Sequence, residues 1–276
     1  MRPHSMSGRR TLALAAVLLL GSTAALFAHD TWLLPAALRV PVGRPVRLSL
    51  TSGVAFPADD FAILPSRIVL ADVRLAGARS ALGAPHTSVR STVYEWTPAT
   101  EGVATLAVSL APKVLTLAPD KIEEYLTEID AGPAVRAAWS AIPAPKRWRE
   151  SYSKHAKTFV RVGNPTSRDS SWSTPMGLGL ELVPTRDPTS LQAGDTLPLL
   201  VLRHGVRAAQ FAVGALRAGE QQARFYQTDG KGVARVVLPN EGLWLLNGTD
   251  LRRSQKPGLE WESDFATLTI AVRTVR

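Results

Sequence analysis

Apolar and polar residues alternate along most of the chain beyond residue 29. Successive side chains of a β-strand point to opposite faces, so this period of two predicts half-buried strands. Glycine and proline separate the alternating segments, which is typical of turns between antiparallel strands. In the first part of the chain the alternating segments are 45–53, 67–75, 91–96 and 102–110. They predict one β-sandwich domain over residues 29–118.

The second half of the chain shows the same pattern, with about ten residues per strand, the spacing of an immunoglobulin-like sandwich. The predicted strands are 155–163, 178–183, 196–203, 209–217, 222–227, 233–238, 242–247 and 266–273. Residues 228–232 (TDGKG) add a hairpin signal, because glycine and aspartate tolerate positive φ. We therefore predict a C-terminal, immunoglobulin-like β-sandwich domain over residues 155–276.

The middle of the chain, residues 119–154, has a different pattern. Segment 120–129 has apolar residues at the spacing of an amphipathic helix face, and segments 133–140 and 146–153 predict two more short helices. This helical insertion carries four aromatic residues: Tyr125, Trp139, Trp148 and Tyr152. They either pack the helices onto a sheet or line a ligand groove. The fold class is thus mainly β, with two β-sandwich units and a short helical insertion between them.

Residues 1–28 have the organisation of a secretory signal peptide. Arg2, Arg9 and Arg10 precede an apolar run over residues 12–28, and the first acidic residue is Asp30. We expect export to a bacterial periplasm. The alternative is an uncleaved segment that anchors the chain in a membrane, since the apolar run approaches the length that spans a bilayer.

The composition narrows the function classes. The chain has no cysteine, which excludes a disulfide framework, a thiol nucleophile and a lipoprotein anchor. The formal net charge of +9 falls to +6 without the three arginines of the first 28 residues. The remaining basic residues are scattered and do not form stripes interleaved with aromatics, so a nucleic-acid partner is not expected.

The candidate chemistry lies at the start of the predicted mature chain. Cleavage after Ala28 would give His29 a free α-amine, whereas cleavage after Ala25 would leave His29 internal. With the free amine, this one residue offers two nitrogen donors, which Ni²⁺, Co²⁺ and Cu²⁺ prefer. One of these transition-metal ions is the cofactor that the sequence predicts.

A useful metal site needs further ligands, and the fold has to supply them. The candidates are Asp30, His86 and His155, with His204 as another histidine that can come close. None of them has the spacing of a known metal motif. Each histidine is also compatible with an ordinary surface or helix-capping position.

No catalytic motif is present. The sequence lacks a GxSxG elbow, an HExxH helix and a glycine-rich phosphate loop. We therefore expect a binding protein and not an enzyme. One enzymatic alternative stays open, a copper-dependent oxidase or oxygenase, and it requires a second histidine beside His29.

Several landmarks occur together in one known family. They are residues 29–33 (HDTWL), 156–163 (AKTFVRVG), 191–197 (LQAGDTL), 242–245 (GLWL) and 261–269 (WESDFATLT). Their order and spacing resemble a widespread bacterial family of exported proteins of unknown function. Its members are often labelled as the periplasmic component of a cobalt or nickel ABC-type uptake system.

This resemblance implies transition-metal handling outside the cytoplasm, with the membrane components of a metal-uptake system as partners. Together with His29 it predicts an exported accessory protein that binds nickel, cobalt or copper. The alternative is a β-sandwich module that binds a protein or a glycan without any metal.

Overall fold

The computed structural model describes residues 29–164 and 169–275, and the predicted signal peptide lies outside this part. The first half is formed by the strands β1 (Asp30–Pro35), β2 (Arg39–Val40), β3 (Val46–Gly53), β4 (Phe61–Ala62), β5 (Ile68–Leu75), β6 (Ala78–Ala81), β7 (His86–Thr87), β8 (Thr92–Trp96), β9 (Gly102–Leu110) and β10 (Lys113–Thr116). Two α-helices follow, α1 (Ile122–Glu128) and α2 (Pro133–Ser140).

The second half is again built of strands. They are β11 (Arg149–Val162), β12 (Leu180–Pro184), β13 (Asp195–Arg203), β14 (Val206–Arg207), β15 (Ala212–Arg217), β16 (Arg224–Gln227), β17 (Val233–Leu238), β18 (Gly242–Arg253) and β19 (Trp261–Val272). Short 3₁₀ helices lie at Pro65–Arg67, Pro119–Lys121 and Ser171–Ser173.

These strands form three sheets. The central sheet has the order β16-β15-β18-β19-β11-β9-β5-β6, with β2 and β10 also pairing with β11. The front sheet has the order β1-β3-β8-β7, with β4 on β3, and the back sheet has the order β12-β13-β14, with β17 on β13. The central sheet is therefore common to both predicted sandwiches, and the predicted boundary between residues 154 and 155 falls inside β11.

The front and back sheets cover opposite faces of the central sheet. On β11, Ala156 and Val160 belong to the core shared with the front sheet, whereas Phe159 belongs to the core shared with the back sheet. This alternation is the period of two that the sequence shows. The apolar alternation thus specifies two cores, one on each side of the same central strands.

The helical insertion packs on the front face of the central sheet. Trp148 stacks on Trp261 of β19 with ring centroids 4.7 Å apart, and Trp139 and Tyr125 contact Trp148 edge-on. Tyr125, Trp139 and Trp148 are buried. These three aromatics therefore pack the insertion onto the sheet and do not line a ligand groove.

A buried carboxylate fastens this insertion. Glu150 of β11 is fully buried and accepts hydrogen bonds from the Tyr125 hydroxyl (3.0 Å), the Trp148 indole N–H (2.8 Å) and the Ser263 hydroxyl. Burial raises the pKa of Glu150, although the three hydrogen bonds lower it in part. Because the donors come from α1, the segment before β11 and β19, this residue holds the insertion in a fixed position on the sheet.

Two local predictions are wrong. Segment 146–153 is not a helix, because residues from 149 onward pair with β10 on one side and β19 on the other. The turn at 228–232 forms, with Gly232 N–H donating to Asp229 C=O, but it does not close a hairpin. It connects β16 of the central sheet to β17 of the back sheet, because the two strands contribute to different sheets.

Both C-terminal strands are longer than predicted. β18 and β19 have 12 residues each, and the extensions contain polar residues such as Asp250, Ser263 and Asp264. These three are buried, so apolar alternation could not reveal them. Within the described residues, no helix is long and apolar enough to cross a membrane.

The core assignment predicts a contrast between two leucines. Leu246→Ala should lower the free energy of unfolding by about 2–5 kcal/mol, because it empties a fully buried position of the back core. Leu64→Ala, at a leucine that is 64% exposed, should change it by less than about 0.5 kcal/mol. Urea unfolding followed by circular dichroism measures both, and equal effects would show that Leu246 is not part of a packed core.

Candidate functional site

A cleft of about 420 Å³ opens on the front face of the central sheet, between the front sheet and the helical insertion. We call it the His29 cleft. Its lining combines acidic, amide and aromatic side chains: His29, Asp30, Trp32, Gly53, Val54, Phe56, Thr127, Glu128, Leu216, Gln221, Gln222, Ala223, Phe225, Leu245 and Asn247. The front sheet, α1, β15–β16 and β18 thus each contribute one wall.

Strand β1 places the first two described residues in this cleft. Asp30 pairs with Gly53 of β3, and the Thr267 hydroxyl donates to the Thr31 carbonyl (2.5 Å), which ties β1 to the central sheet. Trp32 is buried against Phe56 with its ring edge-on. Gly53 is required here, because a Cβ atom would lie 2.7 Å from the Trp32 ring.

Asp30 is a half-buried carboxylate with a defined partner. The Asn247 side-chain amide donates to its Oδ2 at 2.8 Å. Desolvation raises the pKa of Asp30 above its ordinary value, against the lowering effects of Asn247, Lys154 and His29. Partial desolvation and the Asp30 charge also raise the pKa of Glu128 at the cleft rim. The cleft therefore contains two carboxyl groups whose environments disfavour the ionised form. A bound cation would favour the ionised form of both groups.

Lys154 lies behind Asp30 and is 8% exposed. Its Nζ donates to the His29 carbonyl and lies 5.7 Å from the ring centroids of Tyr152 and Phe265. Desolvation lowers the pKa of Lys154 to about 8, although the Asp30 charge opposes this shift. The lysine holds the start of β1 in place and carries only part of a positive charge near pH 8.

The His29 ring is half-exposed at the cleft wall. It contacts Phe61 of β4 edge-on, with ring centroids 5.5 Å apart. His29 and Asp30 are the two predicted ligands that line this cleft.

His86 lies far from them. It is an exposed residue of β7, the strand at the opposite edge of the front sheet from β1. Three strand spacings separate the two strands, which is about 14 Å. A single metal ion cannot join His86 to His29 in this fold, so the prediction that they share a site is wrong.

His155 lies on the other face of the central sheet. It neighbours Lys154 on β11, and consecutive side chains of a strand point to opposite faces. Both ring nitrogens have partners: Nδ1 lies 2.7 Å from Ser109 Oγ, and Nε2 lies 3.0 Å from Asp264 Oδ1. His155 therefore cannot be a ligand together with His29. His204, 3.5 Å from Asp264 Oδ2, lies on this other face as well.

The His155 network is a charge-balanced structural unit. Arg252 donates to Asp264 (2.8 Å) and to Asp250 (3.1 Å), and Asp250 also pairs with Arg203 at 2.9 Å. Burial alone raises the pKa of Asp264, but the hydrogen bonds from His155 and Arg252 hold it below its ordinary value. Ser109, His155 and Asp264 are each buried. Within the described residues, no group of three or more His, Asp or Glu side chains is arranged to hold a metal ion.

Sequence reasoning missed two charged or polar residues that line the cleft, Asn247 and Glu128, and also Lys154 behind it. Lys154 gave no signal beyond its place at the end of the predicted insertion 119–154, and Asn247 lies 217 residues from the carboxylate that it contacts. Glu128 is recognisable only as one of several acidic residues in the predicted helix 120–129, a pattern that is common on solvated helix faces. None of these contacts has a local sequence pattern, because each depends on how the sheets pack.

Comparison with known proteins identifies the family but no activity. Residues 26–249 match the family described as "Domain of unknown function (DUF4198)", and the chain belongs to that family. None of the curated proteins matches the sequence. The label of cobalt or nickel uptake therefore stays a prediction.

Two of the solved structures that match the chain have low sequence identity and low TM-scores. The adhesin InvE of Yersinia pseudotuberculosis is 12% identical with a TM-score of 0.23, over 88% of this chain and 58% of the adhesin. Murine CEACAM1b is 10% identical with a TM-score of 0.20, over 89% of this chain and all of that one. The chain spans somewhat more than half of the adhesin's length. These likenesses concern the β-sandwich fold alone.

The lowered pKa of Lys154 predicts how stability depends on pH. Between about pH 8 and 10.4 the unfolded chain binds more protons at this lysine than the folded protein does, so folding stability gains from rising pH in this window. The free energy of unfolding of the wild type, minus that of Lys154→Met, should therefore increase from pH 8 to pH 10. Urea unfolding at several pH values measures this difference. A difference that does not vary with pH would show that Lys154 titrates normally.

Proposed function

We propose that the protein is an exported binding protein that holds a transition-metal ion in the His29 cleft. The observation that carries this proposal is the position of His29 beside the half-buried Asp30 carboxylate, in the wall of a cleft that also contains Glu128. Nickel, cobalt and copper are the ions that such a mixed nitrogen and carboxylate environment suits.

The described side chains alone are an incomplete metal site. His29 and Asp30 are adjacent, and Glu128 is close enough for the Asp30 charge to raise its pKa, but no third histidine or acid joins them in ligand geometry. The missing donor is the α-amine that cleavage after Ala28 would create. The proposal therefore depends on export processing, which converts the amide nitrogen of His29 into a primary amine.

Each cleft residue has a separate role in this proposal. His29 would supply the nitrogen donors, and Asp30, oriented by Asn247, would supply negative charge. Lys154 would keep the His29 carbonyl fixed through its hydrogen bond, so that the terminal residue does not move freely. A cation beside Asp30 would also disfavour the protonated form of Lys154, so its uptake would be coupled to proton release.

The enzymatic alternative has less support. A copper oxidase or oxygenase site needs a second histidine beside His29, and the structure places His86, His155 and His204 elsewhere. We therefore assign the cleft to binding and not to catalysis.

The proposal is tested by titrating Ni²⁺ and Cu²⁺ into the exported protein, with its N-terminus verified by mass spectrometry. A chain that begins with His29 should bind one ion, and acetylation of its α-amine should weaken the affinity at least about tenfold, which is 1.4 kcal/mol. The affinity should also fall as the pH is lowered from about 8 to 5, because protons compete for both nitrogens. Isothermal titration calorimetry gives the affinity and the stoichiometry.

Two further variants serve as controls. His86→Ala removes an exposed histidine outside the cleft and should leave the affinity unchanged. Asp30→Asn should weaken binding without removing a nitrogen donor. If acetylation of the α-amine has no effect and His86→Ala abolishes binding, the His29 cleft is not the metal site.

A further inference from the structure

One stretch of β18 has no strand beside it. β15 pairs with β18 only through residues Trp244–Asn247, whereas β18 continues to Arg253. The chain before β15 turns to the back sheet, where Ala208 N–H donates to Val201 C=O. In the described part of the chain, residues 248–253 of β18 therefore pair with β19 on one side and with no strand on the other. This edge is about 20 Å long, from six residues at about 3.3 Å each.

The backbone groups that face the open edge can be identified. In an antiparallel pair, the N–H and C=O of one residue point to the same side, and the side alternates along the strand. The Leu243 carbonyl accepts from Ala218 N–H, so it points towards β15. The register of β18 continues without a bulge to Arg253. The backbone N–H and C=O of Thr249 and Leu251 therefore point to the open side.

A groove of about 650 Å³ lies along this edge, and we call it the β18 groove. One wall is the connection between α1 and α2, and the other contains Arg203 and the start of β15. The residues that line it are Ile129, Asp130, Ala131, Gly132, Pro133, Ala134, Val135, Arg203, Gln210, Phe211, Ala212, Gln227, Thr228, Thr249, Asp250 and Leu251. A small pocket that contains Ile129, Thr249, Glu128 and Asp30 links it to the His29 cleft.

Among the described residues, the groove contains one carboxylate without a salt bridge, Asp130, although the chain is basic overall. Asp250 is neutralised by Arg203 and Arg252. Asp130 and Glu128 are both exposed, and within the described residues neither forms a salt bridge; Asp130 only accepts a hydrogen bond from the Gln227 amide at 3.2 Å. The open edge therefore has Asp130 in the groove itself and Glu128 in the small pocket that adjoins it, in a protein with a net charge of +9.

We propose that the β18 groove binds an extended peptide segment that carries lysine or arginine. The segment pairs with the open edge of β18 through Thr249 and Leu251, as an added strand in line with β15. Side chains on one face of the segment contact Ile129 and Val135 in the groove, and its basic residues lie near Asp130 and Glu128. A second copy of this chain is a poorer occupant, because a twofold pairing of the same edge would bring the two acidic walls together.

The test uses three acetylated and amidated hexapeptides labelled with a fluorophore. The first is Thr-Lys-Val-Lys-Val-Thr, the second has glutamate in place of lysine, and the third is the lysine peptide with alternate backbone nitrogens methylated. Binding to the full mature protein is measured by fluorescence anisotropy in buffer with a metal chelator, so the result does not depend on metal binding at His29.

We expect the lysine peptide to bind more tightly than the glutamate peptide and the methylated peptide to bind at least about tenfold more weakly, the equivalent of one lost hydrogen bond. Thr249→Pro should weaken binding by a similar factor, because it removes an N–H that the β18–β19 ladder does not use. Thr249→Val keeps this N–H and should have no effect. Asp130→Ala, a substitution at an exposed loop residue, should weaken the lysine peptide and strengthen the glutamate peptide.

Three results would overturn the proposal. The methylated peptide could bind as tightly as its parent, which would exclude backbone pairing. The lysine and glutamate peptides could bind equally, which would exclude the acidic wall as a determinant. The third result is that none of the three peptides binds, which would show that the edge does not bind such a segment. If Thr249→Pro does not fold, the methylated peptide and Asp130→Ala decide the question with folded protein.

Discussion

The pairing of β11 with β9 on one side and β19 on the other is the constraint on which the rest of the fold depends. This strand lies inside the central sheet, and both of its faces are covered by other sheets. Its two neighbouring residues, Lys154 and His155, consequently belong to separate environments: Lys154 to the His29 cleft and His155 to the network with Ser109 and Asp264. The position of β11 thus determines that Lys154 and His155 contact different sets of charged groups.

The His29 cleft and its surroundings contain ionisable side chains that are partly removed from water. Asp30, Glu128 and Lys154 each have a pKa shifted towards the neutral form, and burial is the largest cause in every case. An arrangement of this kind costs folding energy and is found more often at binding sites than in the structural parts of proteins. The His155 network is different, because its carboxylates are compensated by arginine, and we therefore regard it as structural.

Alternation predicts most strands and both sandwiches, because it reports directly which side chains are buried. It fails where buried residues are polar: the extensions of β18 and β19 contain Asp250 and Asp264, and segment 149–153 has strand partners that its own sequence does not reveal. The candidate site was predictable only at His29 and Asp30, from their position after the apolar run of residues 12–28. Its other members come from strands and helices far apart in sequence, and only the packing of three sheets brings them together.

The location of a bound metal ion tests the central claim most directly. Paramagnetic Cu²⁺ added to the ¹⁵N-labelled mature protein broadens the amide signals that lie near the ion. We expect broadening at Asp30, Gly53, Glu128 and Asn247, which surround the His29 cleft, and unchanged signals at His86 and Ser109. Broadening centred on His86 or His204, with the signals of the cleft unchanged, would contradict it.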